Sequence, residues 1–134
     1  MLIDGQGLPL GIDVDSASPS DVRLIEPLLN NRILDQRSPR LIYDKAADSD
    51  PLRKRLRDAG IDLICPHRRN RKKPPLQDRR KLRRYRHRWK VERTISWLGN
   101  CRRLLVRHEH FDHLYYGFAQ LACIRLLLKR LLAL

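Results

Sequence analysis

The chain has 134 residues, with 29 Lys and Arg against 15 Asp and Glu and a formal net charge of +14. That length suits one small domain with a real core, and the charge points to a polyanionic partner, of which nucleic acid is the commonest. Three cysteines, Cys65, Cys101 and Cys123, form no Cys-x-x-Cys pair, which excludes a zinc ribbon and a disulfide framework and leaves reduced, half-buried side chains in a cytosolic protein. The N-terminus lacks the basic region and long apolar run of a signal peptide. Gln120, Arg125, Lys129 and Arg130 interrupt the most apolar stretch, which argues against a membrane span.

In chain order, Leu2-Ile3 and Leu8 to Val14 flank Asp4-Gly5-Gln6-Gly7. Two short apolar runs around a Gly-containing turn predict a β-hairpin with Asp4 as a turn residue. Ser20 is placed to cap a helix from Asp21 to Asn30, in which Val22, Ile25, Leu28 and Leu29 recur at helical spacing. Arg40 to Lys45 reads as a strand ending in acidic Asp44. Ser49-Asp50-Pro51 opens a helix whose apolar stripe is Leu52, Leu56 and Ala59 and whose end is Gly60. Ile61 to Pro66 is the next strand. A carboxylate at a strand end beside a strand-to-helix turn is where α/β folds place catalytic groups, although a lone Asp there is more often a cap.

The densest positive region follows, from about residue 66 to 84. It includes Arg68, Arg69, Arg71, Lys72, Lys73, Arg79, Arg80, Lys81, Arg83 and Arg84, with Pro74-Pro75 inside it and Asp78 as counter-charge. Like charges and Pro-Pro predict a loop that is mobile in the free protein and binds phosphate with steep salt dependence, positioning DNA without reading bases. A merely solvated charged run is the plain alternative.

From Tyr85 to Arg103 the pattern predicts one helix, with Val91, Ile95 and Leu98 as its core stripe and Tyr85, Arg88, Glu92, Ser96 and Arg103 on an adjoining face. Glu92 is the acidic residue among many cations, suited either to hold a cation or to form a structural ion pair. His108, His110 and His113 do not share a helical face, so they read as loop residues rather than a metal site. From His113 to Leu134 an apolar helix is predicted, which belongs in a core or against a partner.

The spacing of Tyr85, Arg88 and Glu92, with Arg88 to Arg103 around it, resembles the signature of the last carboxylate in DDE-type transposases of bacterial insertion sequences, specifically the insertion-sequence-five group of the insertion-sequence-four-like superfamily. Tyr43-Asp44-Lys45-Ala46-Ala47-Asp48-Ser49 is similar to the motif of that family's second carboxylate, and the opening hairpin and helix match it too. The signature usually carries a Lys at the position held here by Gly99, with Arg102 and Arg103 close by to contact phosphate.

The resemblance covers essentially the whole chain. It implies an α/β fold of the RNase H-like integrase and transposase type, a mixed sheet flanked by helices, with a C-terminal helical part from about residue 85 to 134. It also implies catalytic metal ligands Asp44 and Glu92 holding Mg²⁺ or Mn²⁺. The DNA-contacting set it implies is Tyr85, Arg88, Arg93, Arg102 and Arg103 together with Arg68, Arg69, Arg71, Lys72 and Lys73 of the basic region. Neither Asp4 nor Asp13 occupies the motif of the family's first Asp. The expectation is therefore an N-terminally truncated catalytic domain lacking the first catalytic strand, inactive alone and completed by an N-terminal transposase polypeptide or a second subunit. Its expected partner is transposon-end and target DNA at the bacterial nucleoid in the cytoplasm. A non-catalytic DNA-binding remnant, or a basic helical protein that binds a partner or a membrane, are the other readings.

Overall fold

In the computed structural model, which describes residues 1–16, 20–36 and 38–133, the hairpin forms where turn chemistry places it. Strand β1 (Leu2–Ile3) pairs antiparallel with β2 (Pro9–Gly11). Asp4 Oδ1 closes the turn by accepting from the backbone N–H groups of Gln6 and Leu8, both at 2.8 Å. The second strand ends at Gly11, short of the expected Val14. The helix expected from Asp21 to Asn30 is a 3₁₀ turn (Asp21–Leu24) running into α1 (Ile25–Asn30). Ser20 makes no side-chain cap there; its carbonyl accepts from Arg23 instead.

The chain divides into two units: Met1–Ile33 with Lys90–Leu134, and Leu34–Trp89. The second unit is a β-turn-α-β module. Strand β3 (Arg40–Ile42) leads through a 3₁₀ turn (Lys45–Ala47) into α2 (Asp50–Asp58), and β4 (Asp62–Ile64) returns parallel to β3, with Arg40 opposite Asp62 and Ile42 opposite Ile64. Parallel pairing needs a crossover, and α2 supplies it. Pro51 stands in its first turn, as the Ser-Asp-Pro run predicts. Gly60 follows its end at φ +78°, which a Cβ would disfavour. Leu52, Leu56, Ile61, Leu63, Ile64 and Cys65 form this unit's buried core.

The predicted mixed sheet is therefore two separate two-stranded sheets among the described residues, one antiparallel and one parallel. The α/β character holds, with α2 packed on β4 and α6 on β2. The basic region is not loop throughout, since α3 (Arg79–Leu82), capped by Asp78 Oδ1, and a 3₁₀ turn (Arg83–His87) occupy its second half.

The single helix predicted from Tyr85 to Arg103 is divided. Arg88 N–H bonds to Tyr85 O in the tighter 3₁₀ pattern, α4 runs from Trp89 to Gly99, and a turn through Asn100 and Cys101 precedes α5 (Arg102–Leu105). Periodicity does not separate these cases, because bonding to the third or the fourth residue back gives similar faces over a few residues. The last helix, α6 (Asp112–Leu131), matches the prediction closely. In the first unit Leu98 of α4 and Ala122 and Cys123 of α6 make a small core with Met1, Ile12, Cys101, Leu104 and Leu126. Many apolar residues of α6 face outward, including Leu121, Ile124, Leu128 and Leu131. No described helix is long and apolar enough to cross a membrane.

Three successive carbonyls of the hairpin turn anchor α4. Lys90 Nζ donates to Gly5 O, Arg93 Nη2 to Gln6 O at 3.1 Å, and the fully buried Thr94 Oγ1 to Gly7 O at 2.7 Å. Gly7 has φ +92°, and a Cβ there would stand 2.9 Å from Arg93 Nη2 and 3.2 Å from Thr94 Oγ1. Gly7→Ala is expected to cost about 1–3 kcal/mol through backbone strain. Thr94→Val is expected to cost about 1–3 kcal/mol by leaving a buried carbonyl unpaired. Urea melts of the two single variants and the double variant check this, with the double falling short of additivity because both act on one junction.

Candidate functional site

Asp44 sits just beyond β3, where Tyr43 N–H continues the pairing to Ile64 O. Its backbone is extended and its Oδ1 accepts from Ala46 N–H at 2.8 Å, capping the 3₁₀ turn. Oδ2 lies 3.9 Å from Arg88 Nη2, and the carboxylate is 38% exposed. At that exposure the ion pair contributes little to stability, so Arg88 acts mainly as a positive charge held beside an accessible carboxylate oxygen. Tyr85, one turn before Arg88, is half-buried, and Glu92 is exposed in the first turn of α4.

The other expected contacts fall into two groups. Arg69, Lys72 and Arg102 are exposed. Lys73 is also exposed and lies 3.6 Å from Asp50. Several other cations bond to groups of the protein, although Arg68 and Arg103 among them are also exposed. Arg93 bonds the hairpin turn and lies 4.6 Å from the centre of the Trp97 ring. Arg103 donates to Glu109 Oε1 at 3.1 Å and lies over Phe118. Arg68 Nη2 donates to Ala46 O at 2.7 Å, and Arg71 Nη1 to Asp50 Oδ1 at 2.8 Å.

Sequence reasoning missed the role of Asp48, a carboxylate that is 2% exposed and bonded on both oxygens. Oδ1 accepts from His67 Nδ1 at 2.8 Å, Arg53 Nη2 at 3.2 Å and Arg71 Nη1 at 3.4 Å, and Oδ2 accepts from Arg68 N–H at 2.8 Å. Arg53 is itself only 6% exposed and also donates to the carbonyls of Leu63 and Cys65. Burial works against the charge on Asp48. The Arg68 amide, His67 and Arg53 outweigh it and hold the carboxyl below the ordinary aspartate range. The available signal was a second acid within the Tyr43 to Ser49 motif, but spacing alone did not distinguish it from a solvated residue.

Cys65 lies in the same core, where burial pushes its thiol up to about 11. It stays protonated at neutral pH and is a packing residue rather than a nucleophile. Cys65 and Cys123 are buried, more than the half-burial expected of them, and all three cysteines are free. The histidine run has an aromatic role: His110 and His113 pack on Phe111, at ring separations of 5.3 and 5.5 Å. No group of three or more His, Cys, Asp or Glu side chains suited to a metal ion occurs among the described residues.

Residues 1–127 match the family described as the transposase DDE domain. The chain belongs to this family. The putative transposase for insertion sequence element IS402 of Burkholderia cepacia is 31% identical over 131 residues, covering 92% of this chain and 58% of that protein. The chain thus spans less than two thirds of that relative's length. No solved structure matches. The resemblance to insertion-sequence transposases carried by Asp44, Glu92 and the Arg88 to Arg103 motif is therefore borne out at the level of family. The chemistry general to that family is metal-dependent DNA cleavage.

Asp48 makes a pH prediction. Its folded-state carboxyl titrates below its unfolded value, so the stabilisation is complete above the ordinary aspartate value of about 3.9 and is lost as pH falls below it. Thermal melts of the wild type are expected to lose stability as pH falls below about 4. Asp48→Asn is expected to be less stable at neutral pH by about 3–5 kcal/mol, because Arg53 loses its buried partner, and to show a shallower acid fall.

Proposed function

We propose that this chain forms the part of an insertion-sequence transposase that holds transposon-end DNA and contributes two carboxylates, Asp44 and Glu92, to a strand-cleavage and strand-transfer site on an RNase H-like framework. The single observation that carries this reading is Asp44 at the strand end, with one carboxylate oxygen fixed by the Ala46 amide and the other accessible beside Arg88. Carboxylate oxygens are the hard donors that Mg²⁺ or Mn²⁺ prefers. When bound, such ions supply activation of a water or 3′-hydroxyl and stabilisation of the leaving oxygen. Asp44 and Glu92 orient the reacting groups; Arg88 and Tyr85 meet the phosphate; Arg69, Lys72, Lys73 and Arg102 grip the flanking backbone. Arg68, Arg71, Arg93 and Arg103 serve this binding through the internal contacts they make.

In this reading neither Asp4, whose Oδ1 closes the hairpin turn, nor Asp13 fills the remaining carboxylate role, because neither stands in the motif of the family's first Asp. The third carboxylate of the family's triad comes in this reading from a further transposase segment or subunit, and the chain alone binds DNA without cutting it. Its place of action is where the element's DNA lies, the nucleoid. The second reading, a DNA-binding remnant, draws on the same exposed cations and needs neither carboxylate.

Mg²⁺-dependent cleavage of DNA carrying an element's terminal repeats separates the two. The assay uses this chain with the remaining transposase polypeptide, and Asp44→Ala and Glu92→Ala as variants. Each substitution is expected to reduce cleavage by more than the about 10–100-fold that loss of an outer-shell partner costs, while leaving DNA affinity within about a factor of three of the wild type. Cleavage indifferent to both substitutions would remove the carboxylates from the site. Salt-sensitive binding with no cleavage in any combination would select the remnant.

A further inference from the structure

The contacts of Asp48 reach three consecutive parts of the second unit. Its own position is one residue past the 3₁₀ turn that Asp44 caps. Through Arg53 it is tied to α2 and to the carbonyls of Leu63 and Cys65 at the end of β4. Through His67, the Arg68 amide and Arg71 it takes hold of the start of the basic region. His67 extends the grip, since its Nε2 accepts from Leu76 N–H at 3.2 Å. The ring must then carry its proton on Nδ1, facing Asp48, a tautomer that the hydrogen-bond pattern assigns. Arg71 bridges Asp48 and Asp50 and also donates to Pro74 O at 3.3 Å. Gln77 Nε2 closes the far end on Cys65 O.

Residues 66 to 78 are thereby laced at both ends and in the middle onto a buried anion. The cations divide accordingly: Arg71 and the Arg68 amide turn inward as struts, and Arg69 and Lys72, each next to one of them in sequence, stand exposed. A segment of this charge would otherwise repel itself into an open ensemble.

We propose that Asp48 is a positioning residue that pre-orders the segment from His67 to Gln77, so that Arg69 and Lys72 meet DNA phosphates without a further loss of chain entropy. The proposal rests on the DNA-binding reading above and adds a distinct claim: an acid inside a basic region strengthens binding to a polyanion. Plain electrostatics predicts the opposite sign, because deleting a negative charge beside a phosphate-binding segment should tighten binding. The cations also separate by salt dependence. A direct phosphate contact contributes about 0.9 to the slope of log affinity against log salt, and a strut contributes nothing.

The experiment measures binding of the full chain to a random-sequence DNA duplex by fluorescence anisotropy across a salt series, with residue-resolved amide exchange on the free protein. Asp48→Asn, folded by circular dichroism, is expected to bind about tenfold more weakly at unchanged salt slope, the factor that ordering one residue's backbone on binding costs. Asp58→Asn removes a charge of the same sign from the exposed end of α2, away from the hub and its struts, and is expected to bind as tightly as the wild type or more tightly. Arg69→Ala and Lys72→Ala are each expected to lower the slope by about one, whereas Arg71→Ala lowers affinity without changing it. The amides of Arg68 and Leu76 are expected to exchange faster in Asp48→Asn while Tyr43, in the sheet, keeps its protection.

Should Asp48→Asn not fold, His67→Ala carries the test. It removes the links to Asp48 and Leu76 while leaving Arg53 paired, and it is expected to weaken binding and expose the same two amides. A folded variant of either kind that binds DNA as tightly as the wild type, or that keeps Arg68 and Leu76 protected, overturns the proposal. Wild-type chain that binds no DNA would sink the DNA-binding reading instead, and the exchange measurement would still decide whether Asp48 orders the segment.

Discussion

A carboxylate that is 2% exposed organises the second unit. Taking an isolated carboxylate out of water costs several kcal/mol, so burial is tolerable only where hydrogen bonds and opposite charge replace the lost solvation. Asp48 has that replacement from one backbone amide, one imidazole and two guanidinium groups. Arg53 comes from α2 and also bonds the end of β4, while the other three donors come from the start of the basic segment, so satisfying the acid fixes these parts together. The interaction favours a particular arrangement more than it favours stability as such. An apolar cluster would fill the same space, but it would not require Arg68, Arg71 and His67 to take these positions.

The first unit obeys the same rule with the polarities exchanged. There the groups needing partners are the carbonyls of a tight turn, and Lys90, Arg93 and Thr94 supply the donors from successive positions along α4. Helix and hairpin are matched through Gly7, whose positive φ and missing Cβ allow the close approach. In both units, cations that a charge count assigns to nucleic acid carry intramolecular duties. A net charge of +14 therefore overstates the number of side chains free to replace DNA counterions.

The legible parts of the sequence were those whose cause is local. Asp4-Gly5, Ser49-Asp50-Pro51 and Gly60 each specify a backbone geometry within a few residues, and each is found where turn and cap chemistry places it. The apolar stripe of Leu52 and Leu56 was readable for the same reason. Two features were not legible. The burial of Arg53, on a helix whose neighbours are mostly charged, depends on carbonyls ten and twelve residues away. The order of the basic segment depends on an acid about twenty residues earlier in the chain. Composition describes charge repulsion well, but it does not say which of many cations finds the one buried anion. The division of the Tyr85 to Arg103 stretch was invisible for a smaller reason, because 3₁₀ and α geometry differ too little in period over one turn.

Two acids lie within one short motif, and their surroundings sort them into different work. Asp44 is 38% exposed, commits one oxygen to a cap and leaves the other toward solvent and Arg88. Asp48 is closed off and has both oxygens committed, so it could receive a metal ion only by giving up partners that hold the unit together. Sequence resemblance implies the ligand role proposed for Asp44, and its exposure is compatible with that role. The spacing of four residues across a 3₁₀ turn places the accessible acid at the strand end and the buried acid at the helix entrance. One short turn thereby joins a carboxylate suited to chemistry to the carboxylate that orders the surface beside it.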